Sequence, residues 1–331
     1  MRKKNMTATS MDVARLAGTS QSTVSRVFGN PGMVSPLVRE RVLSAARELS
    51  YEPPHTEQTA DASGLIGVII KDFQNPFYTN FVDQMMLKLG RAGKKIILFP
   101  GSSSNVYTVL QEAMKLRVSG LIIASSSLSE QLAAQNLPTR IPVVMINRQE
   151  ASSRYCCIAS DDIESSRAVA DYFIHQGYQS FAFIGGSEGM QSSRHRKTGY
   201  IERLAEWGFY NVLVEAGDYT YESGYQAMRR LMGRLDGRRT AILCANDLMG
   251  LGAMDAVREV PGLRMPEDCA LVGFDDIEES RWHNYGLSSM RFPISEMIDT
   301  AFEYLDTYYT EEPRCAGKHL FVCSFQHRRT T

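Results

Sequence analysis

No apolar run in the chain approaches the ~20 residues that a membrane-spanning helix needs. Cysteine is sparse, with six in 331 residues, at positions 156, 157, 244, 269, 315 and 323. None forms a CxxC pair or stands at metal-ligand spacing from a histidine, so the spacing encodes neither a redox motif nor a zinc site. The adjacent Cys156 and Cys157 read better as small buried residues of a strand than as a reactive pair. There is no GxGxxG after a first strand, no P-loop, no GxSxG and no HExxH. These absences remove the main nucleotide-dependent, hydrolytic and metal-dependent enzyme classes, leaving a non-enzyme with no cofactor, no catalytic residues and no metal. Arg2, Lys3 and Lys4 are followed by polar Thr7 to Ser10 and not by an apolar signal core. The expected compartment is therefore the cytoplasm, where thiols stay reduced.

What is present is a globular composition, 44% hydrophobic and 22% charged, in a chain too long for one core. Charge is unevenly placed. Residues 1–54 carry eight Lys and Arg against four acids, net +4, and the whole-chain charge of −1 leaves −5 for the rest. A basic head meets phosphates while an acidic body stays off them.

The head is the stretch TSMDVARLAGTSQSTVSRVFGNPGMVSPLVRERVLSAARELSYEPP, from Thr9. Val13, Leu16 and Ala17 fall at helical spacing behind Thr9 or Ser10 as cap, and Gly18 ends that helix. Ser20 caps a second helix with Val24, Val27 and Phe28 on one side and Gln21, Ser22, Ser25 and Arg26 on the other. Ser35 and Pro36 open a third, with Val38, Val42, Leu43, Ala46 and Leu49 inward. Two short helices joined by a glycine turn make a helix-turn-helix, whose second helix enters the major groove. A Gln amide bridges adenine N6 and N7, and an Arg bridges guanine O6 and N7. On spacing alone, a three-helix bundle with a solvated polar face is an equal reading.

Glu52 to Gly64 form a linker with no apolar residue larger than Ala. From Leu65 onward the pattern changes to short apolar runs alternating with amphipathic helices. LIGVII (65–70), KIILFP (95–100), GLIIA (120–124), PVVMIN (142–147), FAFIGG (181–186), NVLVEAG (211–217), AILCAN (241–246) and ALVGFD (270–275) read as buried parallel strands. Helices are expected at 81–90, 165–176, 198–207, 222–235 and 248–257. SSMRF (288–292) and LFVCSF (320–325) complete the pattern, which predicts two doubly wound α/β sheets of four or five strands.

In such sheets ligands bind at the carboxyl ends of strands. Phe77 and Tyr78, Asn147 and Arg148, Asn246 and Asp247, and Asp275 and Asp276 with Trp282 just after fall there, and Arg196, Tyr219 and Tyr221 follow other strands. Aromatic faces with planar Asp, Asn and Arg groups suit a polyhydroxylated ligand. Each also has a structural reading. Asp247 fits a helix cap, Phe77 a core residue, Trp282 an interdomain filler, and Arg148 and Arg196 surface ion pairs.

DVARLAGTSQSTVSRVF and VSPLVRERVLSAARELSYEP closely resemble the headpiece of lac-repressor-family (LacI/GalR) transcription regulators. IGVIIKDFQNPFY, INR at 146–148, YIERLAEWGF, GDYTYESGY, ILCANDLMGLGAMDAV and LVGFDDIEESRW extend the resemblance over nearly the whole chain. It implies that Gln21 and Ser22 read bases, that Thr23, Ser25 and Arg26 contact phosphates and bases, and that Thr9, Ser20, Asn30, Ser35 and Tyr51 complete the DNA face. Effector contacts are expected at Phe77, Tyr78, Arg148, Arg196, Tyr219, Asn246, Asp247, Asp275 and Trp282. The implied organisation is a helix-turn-helix headpiece (1–54), a hinge (55–64) and a periplasmic-binding-protein-like core (65–331). Within the core, 65–162 with 290–318 forms one subdomain and 163–289 with 319–331 the other. The implied function is a dimeric or higher-order repressor of a pseudo-palindromic double-stranded DNA operator. It would respond to a small polar effector, a sugar or sugar derivative, and have no membrane partner. A solute-binding protein of the same core fold, or a regulator whose core binds a partner protein, are the alternatives. One departure concerns the hinge. In the family it wedges a Leu into the minor groove, whereas residues 55–63 here offer no large apolar side chain, so a weaker DNA bend is expected.

Overall fold

The computed structural model describes residues 8–29, 34–49, 51, 64–71, 73–102, 106–125, 141–148, 155–308 and 317–331. Asn30 and hinge residues 55–63 lie outside the described residues. The chain divides into two compact units, Met1–Ala62 and Ser63–Thr331.

In the first unit, α1 (Ser10–Leu16) starts from a capping box. The Asp12 N–H donates to Thr9 Oγ1 at 3.3 Å and the Thr9 N–H to Asp12 Oδ2 at 2.9 Å, which satisfies donors that the helix start leaves open. Gly18, at φ 60°, turns the chain into α2 (Gln21–Gly29). There Ser20 Oγ accepts from the Thr23 N–H at 3.1 Å. α3 (Pro36–Glu48) follows Ser35. The three helices close on Val13, Ala14, Ala17, Val24, Val27, Val42, Ala45, Ala46 and Tyr51. Leu16, expected inward, is 46% exposed. α1 packs against both other helices, so its buried stripe widens on the Ala14 side, about 100° round from Val13.

The second unit holds two six-stranded sheets. β1 (Leu65–Ile70), β2 (Lys95–Pro100), β3 (Gly120–Ala124), β4 (Val143–Ile146), β5 (Cys156–Ser160) and β11 (Gly317–Phe321) pair in parallel in the order β11-β5-β4-β3-β1-β2. β6 (Ser180–Gly185), β7 (Val212–Ala216), β8 (Thr240–Cys244), β9 (Cys269–Asp275), β10 (Ser288–Arg291) and β12 (Ser324–Gln326) follow the order β12-β10-β9-β8-β6-β7, with β12 antiparallel to β10. α4 (Pro76–Arg91), α5 (Val106–Lys115) and α10 (Ile294–Thr307) belong with the first sheet. α6 (Asp162–His175), α7 (Gln191–Glu206), α8 (Tyr221–Met232) and α9 (Asp247–Arg258) belong with the second.

Each sheet exceeds the expected four or five strands for two reasons. Cys156–Ser160 is a full strand. LFVCSF, one apolar run in the sequence, divides at Val322 and Cys323 and gives a strand to each sheet. The chain passes between the sheets three times, after Ser160, after Arg291 and after Phe321. The last two points lie beyond the junctions expected at 289 and 318, because β10 stays paired to β9 through Arg291 and β11 to β5 through Phe321.

Strand alternation feeds two cores. Ile66, Val68 and Ile70 of β1 face one, and Ile69 faces the other. Cys156 and Cys157 likewise point to opposite faces, which explains two adjacent buried cysteines in one strand. On α4, Phe81, Met85 and Leu89 form a buried stripe at four-residue spacing, each contributing about 1.5–3 kcal/mol.

Candidate functional site

Two surfaces carry the expected site residues. On the headpiece, Gln21, Ser22, Ser25 and Arg26 lie exposed along one flank of α2. The Gln21 amide donates to Ser10 Oγ at 2.9 Å. Ser20 Oγ lies 2.8 Å from both Ser22 Oγ and Thr23 Oγ1, so these hydroxyls stiffen the helix start. Thr9 is committed to the capping box. Tyr51 is 8% exposed, its ring 6.0 Å from that of Phe28 in the headpiece core. Ser35 is exposed, and its side chain makes no cap bond.

In the core, the carboxyl ends of β1, β3, β4, β5, β6, β8 and β9 open on a cavity of about 200 Å³. Phe77, Tyr78, Arg196, Tyr219, Asn246 and Asp275 all line it. Asn75 caps α4 by accepting from the Phe77 N–H at 3.0 Å, which sets the two aromatics at the cavity edge. Phe77 also packs at a tilt against Phe292, with centroids 4.7 Å apart, so it is a core residue that also lines the site.

Arg196, on α7, is 5% exposed. Its Nε donates to Asp162 Oδ1 at 2.9 Å, its Nη1 donates to the Ala245 carbonyl, and its guanidinium lies 3.8 Å over the Phe274 ring. Burial alone would lower its pKa, but the Asp162 and Asp275 carboxylates outweigh it and hold the group charged. Ser160 Oγ adds a hydrogen bond to Asp162 Oδ1 at 2.7 Å.

Asp275 differs. Burial pushes its carboxyl well above the ordinary carboxylate range; Arg196 opposes the rise, and Asp247 and Asp162 reinforce it. Among the described residues, none donates a hydrogen bond to this carboxylate. Asp275 stands at φ 115° and Asp276 at φ 55°, while Tyr219 has φ 72° and Asn147 φ 59°. Four non-glycine residues in the left-handed half of the map cost about 1–3 kcal/mol each, and such strain concentrates at ligand sites. Tyr219 is fixed by its hydroxyl, 2.8 Å from Ser192 Oγ, and by its carbonyl, which accepts from Asn246 Nδ2 at 3.1 Å. Its ring occupies the space where a side chain at Gly186 would stand, 2.3 Å from an added Cβ.

Three expected effector residues lie away from the cavity lining. Asp247 is fully buried in a structural role. Its Oδ2 accepts from the Ile277 N–H at 2.9 Å and Ser280 Oγ at 2.7 Å, and its Oδ1 from Ser289 Oγ at 2.6 Å. The neighbouring Asn246 is the helix cap, accepting from the Met249 N–H. Trp282 is 51% exposed, and Arg148 is buried outside the lining. The lining also holds residues that the sequence reading did not select, among them Lys71, Ser125, Asp162, Gln191, Ser192 and Asp218. Asp162 follows β5 as Asn246 follows β8, so the strand-end rule would have reached it had the strand reading of Cys156 and Cys157 been carried on to its end at Ser160.

The family model described as bacterial regulatory proteins, lacI family, matches residues 9–54, and the model of a periplasmic binding protein-like domain matches residues 170–331. The probable HTH-type transcriptional repressor ExuR of Bacillus subtilis (strain 168) is 31% identical over 325 residues, 96% of each chain. Among solved structures, a transcriptional regulator CelR–cellobiose complex is 28% identical with TM-score 0.67, covering 98% of this chain and 100% of that one. A lac repressor dimer bound to operator and the anti-inducer ONPF is 26% identical with TM-score 0.70, covering 98% and 99%. The chain belongs to the LacI family: it is a DNA-binding transcriptional regulator and not an enzyme, with a helix-turn-helix head and a periplasmic-binding-protein-like core.

Proposed function

We propose that the protein is a cytoplasmic repressor that binds a pseudo-palindromic operator as a dimer and responds to a small neutral sugar in the core cavity. In this reading residues 1–54 read DNA, 55–64 link, and 65–331 bind effector and dimerise. Gln21 and Ser22 take the base edges, with Ser25 and Arg26 beside them. The observation that carries the effector assignment is the cavity's chemistry. Its buried cation, Arg196, is already engaged by Asp162 and the Ala245 carbonyl. Its open acid, Asp275, which burial holds toward the neutral form, offers both a donor and an acceptor. A ligand hydroxyl pairs with it in either role, whereas a carboxylate or phosphate on that side meets a like charge whenever Asp275 ionises. About 200 Å³ suits a single sugar ring. The same open polar cavity favours a metabolite over a protein partner for the core. Dimerisation is supported by exposed Met86 and Leu87 on α4 beside Leu98 on the edge strand β2.

A thermal-shift screen of neutral sugars, sugar acids and sugar phosphates tests the effector. A ligand at 100 times its Kd adds about 2.7 kcal/mol. Neutral sugars should contain the hit, and Asp275→Ala should abolish its shift. A hit confined to sugar acids would reverse the charge assignment.

A further inference from the structure

One side-chain cluster outside the cavity is left without a role by this reading. The Asp276 carboxylate, whose side chain is fully buried, receives three arginines from three separate segments. Arg281 Nη2, from the short 3-10 turn Glu278–Arg281, donates to Oδ2 at 2.8 Å. Arg291 Nε, at the end of β10, donates to the same oxygen at 2.5 Å. Arg328 Nη2, beyond β12, donates to Oδ1, while its Nη1 donates to the Leu287 carbonyl at 2.5 Å. A fourth arginine, Arg329, lies against Gly286, where an added Cβ would meet its Nε at 2.7 Å.

Three cations around one carboxylate leave an excess of two positive charges. Glu278 lies 3.7 Å from Arg281 but is 74% exposed, so solvent screens it. Glu279 lies in the same turn with its Oε2 buried. The Arg281 and Arg291 side chains are 43% and 44% exposed. The single Asp276 carboxylate offsets only part of the repulsion among the three guanidiniums, and arginine forks match the oxygens of phosphate in pairs. We propose that this arginine cluster is a second ligand site, for a phosphate-type oxyanion, which competes with the Asp276 carboxylate for Arg281 and Arg291. The site is joined to the cavity through the chain itself. Asp276 follows Asp275, both at positive φ, and Arg291, the last residue of β10 before the second crossing, bonds to Asp276. An anion that draws Arg281 and Arg291 off Asp276 loosens the backbone that presents Asp275.

The test uses the full-length protein and inorganic phosphate, with chloride at equal ionic strength as reference. Calorimetric titration should give one phosphate site per chain, and phosphate should raise the melting temperature above the chloride value. Arg281→Gln and Arg291→Gln should each weaken binding about tenfold or more. Asp276→Asn removes the competing charge and should tighten binding by about tenfold. Should Asp276→Asn fail to fold, Arg281→Gln decides alone, since its half-exposed side chain is dispensable to the core. Phosphate no better than chloride, or phosphate binding unchanged in Arg281→Gln, overturns the site. Binding that persists in Arg281→Gln and Arg291→Gln but is lost in Lys71→Gln belongs to the effector cavity and also overturns it. None of these readouts requires the effector, so this site and the sugar assignment fail separately.

Discussion

In the headpiece, Gln21 stands on an exposed helix flank with a single hydrogen bond, to Ser10. In the core, Arg196 is 5% exposed and held by Asp162, the Ala245 carbonyl and the Phe274 ring. Both are polar residues assigned to ligand surfaces, but their costs on folding differ. Gln21 remains hydrated, so exchanging its partner for a base edge costs little. Arg196 has lost its water and needs a fixed counter-charge before any ligand arrives. In the proposed reading, recognition at Gln21 is therefore separate from stability, whereas at Arg196 the two are coupled through Asp162.

Removing Asp162 is the strongest way to break that contrast. Asp162→Ala leaves a buried guanidinium without its carboxylate and should cost about 3–5 kcal/mol in urea unfolding of the core. Gln21→Ala, on the exposed flank, should stay within about 0.5 kcal/mol of wild type in the same melts. Equal losses would show that Arg196 draws its support from elsewhere.

A second test uses protons. Burial pushes the Asp247 carboxyl up to about 7, against the opposing hydrogen bonds from Ser289, Ser280 and the Ile277 N–H. Its value in the unfolded chain is near 3.9. Between these limits the folded protein holds a proton that the unfolded chain has released. The contribution of this group is therefore fully present below about pH 4 and is lost as pH rises to about 7. Asp247→Asn removes the titration. The stability of the variant relative to wild type should rise across that window and be level outside it. Asp275 titrates with the same sign in both proteins, and losing the Asp247 charge lowers its carboxyl, so the two groups titrate as a coupled pair. A constant difference across the window would mean that Asp247 titrates as an ordinary carboxylate. The headpiece residues assigned to DNA include no acid, so the comparison predicts no matching effect there.

How far the chain was legible before folding follows the same division. The helix-turn-helix could be read because its signals are local: Thr9, Gly18, Ser20 and Pro36 each act within one turn of themselves. Eight of the strands from Leu65 to Asp275 could be read because parallel strands are continuous apolar runs, although β2 and β7 lie at sheet edges and are only partly buried. Cys156–Ser160 was legible only in part, at the pair Cys156 and Cys157, because Ile158 is its one large apolar side chain. LFVCSF misled because its division at Val322 and Cys323 is imposed by two sheets that lie apart in the sequence. In the cavity, Arg196, Tyr219 and Asp275 followed from their strand ends and motifs. Asp162 did not, because its pairing with Arg196 spans 34 residues. Asp247 and Trp282 show the converse limit: a strand-end position does not tell which way a side chain turns, and Asp247 turns inward to tie the segment after β9 to β10.

Recognition in the headpiece can be sharpened separately. Gln21→Ala should cost about 1–3 kcal/mol on the true operator and far less on random DNA. Fluorescence anisotropy at fixed salt measures both, and equal losses would remove Gln21 from base reading.

The smallest effects discriminate between two residues of one chemical kind. Thr9 and Ser35 are hydroxyl residues at helix starts, and both were assigned to the DNA face. Thr9 is bonded in both directions to Asp12, whereas the Ser35 side chain makes no cap bond. A cap that works contributes about 1 kcal/mol. Thr9→Ala should therefore lower the stability of the headpiece by about that amount, and DNA affinity should fall only as far as folding does. Ser35→Ala should leave stability within about 0.5 kcal/mol. If its free hydroxyl meets a phosphate, it should instead weaken binding to operator and random DNA equally, since phosphate contacts carry no sequence information. Thermal melts of the headpiece transition, paired with anisotropy on both DNAs, separate these outcomes. A Ser35→Ala variant that loses stability but not affinity would mean that its cap forms after all and would return Ser35 to the scaffold.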